Sequence, residues 1–484
     1  MGHITISVGN CFPAFFLSFL VLYLGIYGGG FMADARSGTK DMTTGTIWKQ
    51  ILFFALPLML GNIFQMLYNT VDSIIVGNFV GTEALAAVGS TTMITNMAVF
   101  FFNGFSLGAS VIIGRAFGAK DNKKLHESVE TTMAATFVLC IIFTIVFYLG
   151  VDFMLKLMST PADVFVEASV YLRIYFLGIS GLLIYNMGSG ILRAVGDSKR
   201  PLYFLMLTSV MNIVLDLLLV IVFKMGIAGV AIATIISQFV SAVLVLFLLF
   251  RTNEIYKVTL NDLRIDFNLF MDICRIGLPM AIQSCITAFS NIFVQGYINF
   301  FGSSVMAGWG AYNKIDQFIM LPMQSMANAA TTFVSQNIGA GKIDRADKGT
   351  VHSLIMAEII TVTIATLIWV FAPRAVQLFS QDEAVIQAGA RFLRTNCYFL
   401  VFNVITQVLA ASLRGRGNST APMVIMLTGY VAIRQVYLFV VTRFFANTAQ
   451  IVGFGYPVGW AAAALMMMGY YIWYQKNHKT EYIL

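Results

Sequence analysis

Asn212 and Asp216 stand four residues apart in MNIVLDLLLVI, a stretch otherwise made almost entirely of hydrocarbon. That spacing puts the amide and the carboxylate on one face of a helix. A carboxylate on a helix in lipid costs about 3 kcal/mol on insertion scales, so one that is kept has work to do. A second acid, Asp72, closes a stripe that also holds Asn62, Gln65 and Asn69, and the spacings put all four on one face of another apolar helix. Such a face lines a cavity or meets a polar neighbour. Counting at 1.5 Å per residue, Asp216 lies about 22 Å along its helix from Pro201. Thr234 lies about 12 Å down the next helix from the opposite surface, at a comparable depth. Two carboxylates, an amide and a hydroxyl at one depth make an oxygen-rich site for a cation or a proton. The plainer reading is a polar pair that locks two helices together. Two buried acids without a nearby fixed Lys or Arg weigh against it, because desolvation and like charge both oppose them.

The elements that must carry these groups follow from composition. Hydrophobic residues make up 58% of the 484 and charged residues 11%, and the mean hydropathy is +0.80. Soluble domains carry about 25% charged residues. Twelve apolar runs long enough to cross a bilayer occur, near 50–76, 85–113, 128–150, 165–190, 201–223, 227–250, 270–300, 306–334, 350–372, 386–411, 421–445 and 453–474. Backbone in lipid must satisfy itself, so the spans are helices and the chain an all-α membrane protein. The net charge of +7 sits on alternate loops, at Arg115, Lys120, Lys123 and Lys124, Arg193, Lys199 and Arg200, Arg251, Lys257 and Arg264, Lys342, Arg345 and Lys348, and Arg414 and Arg416. This is the positive-inside pattern of a plasma-membrane protein with both termini in the cytoplasm, and it argues against nucleic acid as a partner. Five cysteines without C-x-x-C spacing give neither a disulfide framework nor, with four scattered histidines, a zinc site. No nucleophile–base arrangement emerges, so no enzyme and no cofactor are expected.

The chain is also the same thing twice. LRAVGDSKRP at 192–201 returns as LRGRGNSTAP at 413–422, YLR at 171–173 as FLR at 392–394, FGA at 117–119 as IGA at 338–340, and LP at 56–57 as LP at 278–279. All four share one register to within a residue. Six helices separate equivalent points, so the halves are parallel six-helix repeats about an axis along the membrane normal. The expected divisions are an extension at 1–46, a first lobe at 47–250, a cytoplasmic linker at 251–268, a second lobe at 269–475 and a tail at 476–484. The apolar stretch CFPAFFLSFLVLYLGIYGGGF near the N-terminus lacks the basic residues of a signal peptide. GGGFM can be encoded by a ribosome-binding sequence ahead of an ATG, so a start at Met32 is expected. In L-R-x-x-G-[DN]-S-x-x-P the Gly ends a helix, the Asx with Ser caps the next, and the Pro opens its first turn. Arg193 and Arg414 are then expected at the lipid headgroups.

The acids are not repeated. Asn69 corresponds to Asn291, but Asp216 falls opposite Tyr437, so ion chemistry is expected in the first lobe alone. The second lobe has intramembrane charges of its own, Lys314, Asp316, Glu358 and Arg434, and Lys314 and Asp316 are candidates for a cavity between the lobes.

On LPLMLGNIFQMLYNTVDSIIVGNFVG in the first helix, the G-[DN]-S-x-x-P repeat, and Asn212, Asp216 and Thr234, residues 47 to about 475 resemble the multidrug and toxic compound extrusion (MATE) transporters of prokaryotic type. The resemblance implies two lobes forming a V and the export of drugs, often cationic, against H⁺ or Na⁺ influx. It implies that Asp72 is the acid whose protonation or ion contact accompanies the conformational change. Asn212, Asp216 and Thr234 are implied as Na⁺ ligands. Acids that some members carry in helices 7 and 10 are missing here, where LPMAIQSCITAFSN offers only Gln283. The 26 Met and 42 Phe residues include an adaptable drug surface, although most are packing. The expected partners are small-molecule drugs and membrane lipids, with the chain a monomer. The alternatives are a lipid-linked oligosaccharide flippase of the same superfamily, which needs a cluster of cavity arginines where these helices offer few basic residues, and an uncoupled channel or sensor.

Overall fold

Residues 38–158 and 160–477 are described here from a computed structural model, and from Asp41 the chain forms one compact unit. The expectations for a start at Met32 and for the apolar stretch before it lie outside the described residues. Every regular element among the described residues is helical. The first half holds α1 (Ile47–Val80), α2 (Thr82–Gly118), α3 (Asn122–Leu157), α4 in two segments (Ala162–Leu177 and Ile179–Ala194), α5 (Lys199–Val222) and α6 (Gly226–Arg251). The second holds α7 (Phe267–Asn299), α8 (Ser303–Gly339), α9 (Ile343–Val370), α10 (Glu383–Gly415), α11 (Thr420–Phe444) and α12 (Ala449–Asn477).

All twelve expected spans have a helix, but two differ from simple apolar rods. The span expected at 165–190 is bent by 47° at Gly178. A β-carbon there would run into Ile235 of α6, so glycine lets the two helices touch at the break. At the matching place in α10 a 3₁₀ turn, Cys397–Phe399, interrupts the helix. The span expected at 306–334 lies in α8, which is too polar to pass as a lipid-facing segment by composition. Its buried residues include Ser325, Thr331, Thr332, Ser335, Gln336 and Asn337, because neighbouring helices surround its second half.

The basic ends of the helices meet. Arg345 donates to the carbonyls of Met42 and Thr44, Met42 donates its backbone N–H to Gln336 Oε1 (2.9 Å), and Gln336 Nε2 donates to the Ala194 carbonyl (2.8 Å). Gly118 lies against the backbone of Gln336 and Gly339 against that of Arg115, a reciprocal pair from the repeated G-A motif. Deeper, α2 and α7 pack more extensively than any other helix pair, through Gly104, Gly108 and Gly277. Side-chain-free surfaces allow that approach in a bilayer, where van der Waals contact drives helix association.

The cores cross the midpoint of the chain. The first half's core takes in Tyr256 and Val258 of the linker and Leu269, Ile273 and Ile276 of α7. The basic half of α1, with Ile51 and Phe54, packs with Met323, Phe333, Val404 and Val408 of the second half. The linker expected as a polar strap is therefore anchored by two fully buried side chains. Its Tyr256 hydroxyl also accepts from Arg200 (3.2 Å).

The repeated turn is built as expected in two respects of three. Gly196 and Gly417 have φ of 87° and 80°, where glycine is favoured and a helix stops. Pro201 and Pro422 fall in the first turns of α5 and α11. The cap, however, comes from the Asx alone: Asp197 Oδ1 accepts from the N–H of Lys199 and Arg200, and Asn418 Oδ1 from that of Ala421. Neither Ser198 nor Ser419 makes a cap hydrogen bond.

Candidate functional site

α1 and α5 lie side by side, and their two acids meet. The Asp72 and Asp216 carboxyls are within hydrogen-bonding reach of one another. Asp216 is fully buried and Asp72 nearly so. Two carboxyl groups in that contact bond only while one of them carries a proton. The helix widens into a π turn close after each acid, at Val76–Val80 one turn beyond Asp72 and at Leu217–Val222 directly after Asp216. π turns in α-helices gather at functional sites. Tyr68, one turn before Asp72, is hydrogen-bonded by Gln65 and lies beside that acid, and Tyr171 of α4 lies near both.

One turn from Asp216, Asn212 faces a cavity of about 350 Å³ between the two halves. Thr234 faces the same cavity from α6, together with Asn62 and Gln65 of the α1 stripe. Both amide atoms of Asn212 are buried without a hydrogen-bond partner and the Asp216 carboxyl has none besides Asp72, whereas Thr234 donates back to the Val230 carbonyl (3.0 Å). The expected set thus divides. Asn212 and Thr234 are in the cavity wall, and the acid pair is packed behind it rather than among the lining residues.

Four other expected residues are placed elsewhere. Asn69 is exposed on α1 and lies outside the lining. Asn291 is exposed on α7, where its Oδ1 accepts from the Tyr456 hydroxyl (3.3 Å). Lys314 does not line the cavity; its ammonium lies over the Phe379 ring, 5.7 Å from the centroid. Asp316 is half-buried beside Tyr312 and Tyr456, also away from the cavity. Lys314 is exposed and Asp316 lies beside the second half's core, while α8 turns Gln324, Asn328 and Thr331 to the cavity instead.

The largest correction concerns Arg193 and Arg414. Neither sits at the headgroups: both line the cavity, one from each half. Arg193 donates to Ser106 Oγ (3.1 Å) and Arg414 to Gln283 Oε1 (2.8 Å). Helix ends packed at the basic side fold these side chains inward. No acid is among the lining residues, so the cavity's formal charges are two arginines. The resemblance implies export of drugs that are often cationic, and an acid-lined cavity suited to them is not what the lining shows. The count of basic residues in the spans also gave no hint of it, since both arginines read as helix-end residues. One signal was available: they occupy the same position of the repeated motif.

Comparison with known proteins covers nearly the whole chain. The MatE family model matches twice, at residues 57–218 and 277–440, once in each half. A probable multidrug resistance protein, YoeA, of Bacillus subtilis is 29% identical over 448 residues, 91% of this chain and 97% of that protein. The multidrug export protein MepA of Staphylococcus aureus is 22% identical over 88% of this chain and 94% of its own length. Among solved structures, a MOP superfamily transporter from Pyrococcus furiosus, described as having a binding pocket of reversed polarity, superposes with a TM-score of 0.86. It is 24% identical, covers 91% of this chain and 98% of its own, and is a likeness of fold.

Proposed function

The chain belongs to the MatE family, and on that premise we propose that it is a secondary active exporter of small molecules, drugs among them, driven by H⁺ or Na⁺ influx through the acidic pair of its first half. The names of its relatives support the export of drugs. The contact between Asp72 and Asp216, one turn behind the cavity-lining Asn212, is the observation that carries the coupling. With a proton between them, the two acids hold α1 against α5. Without it, two negative charges in a dry contact repel, and α1 must move or a cation must take the proton's place. The donor set of carboxylates, the Asn212 amide oxygen and the Thr234 hydroxyl is all oxygen and suits Na⁺ as well. Because the basic half of α1 is packed into the second half, a shift at Asp72 reaches the contact between the halves. The ion thereby favours one of two arrangements, which is the requirement for antiport. The basic end is assigned to the cytoplasm of a plasma membrane by the charge pattern.

Efflux from vesicles under imposed pH and Na⁺ gradients tests this. Asp216→Asn and Asp72→Asn keep shape and most hydrogen bonding but remove titration. Each is expected to fold, to retain dye binding, and to lose gradient-driven efflux by about a hundredfold or more. Wild-type efflux in both variants leaves the pair a packing contact.

A further inference from the structure

The acids behind the wall do not set the chemistry of the cargo; the groups in the wall do. Arg414 is 5% exposed, and its Nε has no hydrogen-bond partner. Its terminal nitrogen meets only Gln283 Oε1 and, more weakly, the Met426 sulfur (3.7 Å). Arg193 likewise has a single neutral partner, Ser106, whose hydroxyl is already donated to the Asn186 carbonyl. Among the described residues neither guanidinium forms an ion pair with a carboxylate. A buried cation without a counter-charge is expensive. Here Arg414, buried, and Arg193, half-buried, reach one cavity from equivalent positions of the two halves. The rest of the wall mixes amides and hydroxyls, which supply further N–H and O–H donors, with apolar side chains such as Phe100, Leu107, Leu182 and Met280.

We infer that this cavity takes molecules bearing a carboxylate or phosphate group, held between Arg193 and Arg414. A guanidinium presents a planar fork that matches either anion with two parallel hydrogen bonds, and an anion completes both arginines at once. The inference rests on the reading of the cavity as the transport path and assigns its substrate class. The same pair disfavours a cation such as ethidium at the floor of the cavity, so charge selection is built into the repeated motif itself.

The test uses the full chain, purified and reconstituted, with carboxyfluorescein as the anionic probe and ethidium as the cationic one. Wild-type protein is expected to bind carboxyfluorescein more tightly than ethidium. Arg193→Gln and Arg414→Gln are each expected to weaken carboxyfluorescein by about tenfold or more, the usual effect of losing a hydrogen bond to a charged group. Ethidium binding should hold or improve. Arg414→Lys keeps the charge and is expected to restore part of the anion affinity, which separates lost recognition from lost folding. Equal losses for both dyes, or preferential binding of ethidium by the wild type, overturn the inference. Two competitors then identify the source of the anion: displacement by a lysophospholipid with a phosphate headgroup indicates lipid cargo, and displacement by a soluble aryl carboxylate indicates a soluble one. Displacement by neither overturns it. Gradient-driven efflux of carboxyfluorescein that is insensitive to both Arg→Gln changes defeats the anion site but leaves the exporter intact. Absence of gradient-driven efflux of either dye defeats the exporter reading instead.

Discussion

The acids were readable from residue type and spacing because the argument needed only a helix and a depth. Asp72 and Asp216 lie on different helices, yet polar faces on apolar helices have few places to go. Arg193 and Arg414 were misread for the opposite reason. An arginine at a helix end is suited both to a headgroup and to a cavity floor, and only tertiary packing decides between them. A neighbouring residue offers a cleaner test of such packing. Asp197 lies in the turn between α4 and α5, and burial pushes its carboxyl up to about 6, against the pull of the Arg200 and Lys199 N–H groups and the Arg200 side chain. The folded state therefore holds its proton more firmly than the unfolded chain, whose value is near 4. Stability contributed by Asp197 must fall as pH rises from about 4 to about 6 and stay level above that window. Asp197→Asn keeps the cap, as Asn418 does in the second half, and lacks this dependence. The melting temperature of the wild type minus that of the variant should decline across the window, and a constant difference removes the account.

At the scale of elements, hydropathy found twelve helices but could not see how far each is packed among its neighbours. α8 shows why: most of the polar residues of its second half, from Ser325 to Asn337, are buried against protein, so the pattern there is that of an interior helix. Glycines carry information that hydropathy ignores. A β-carbon at Gly104 would come within 2.8 Å of the Ala281 backbone nitrogen and the Gly277 carbonyl, atoms that cannot step aside, whereas one at Gly89 of the same helix meets nothing within 4 Å. Gly104→Ala is therefore expected to lower the melting temperature by several degrees, while Gly89→Ala leaves it unchanged or raises it slightly through helix propensity. Equal behaviour of the two variants in a thermal unfolding assay counts against the α2–α7 contact as described.

For the whole molecule, the duplication was the part of the fold written most plainly in the sequence, and the family's double match agrees with it. What the repeat could not reveal is that each half borrows from the other. Asn62 Nδ2 donates to Ser325 Oγ (3.4 Å) across that junction. With the native cysteines replaced, an Asn62→Cys, Ser325→Cys pair should stop efflux when oxidised and recover it on reduction. Unimpaired efflux from the oxidised form means that the halves need not part there. The borrowing also constrains how the protein is made. When the ribosome has delivered α6 into the membrane, the first half still lacks Tyr256, Val258, Leu269, Ile273 and Ile276 of its own core. A chain released after residue 250 should thus present an unfinished surface and be degraded, whereas one released after residue 300 should persist, a difference that pulse-chase labelling can measure. Insertion of the first six helices is then a waiting state, and the seventh is the step that lets the nascent protein set.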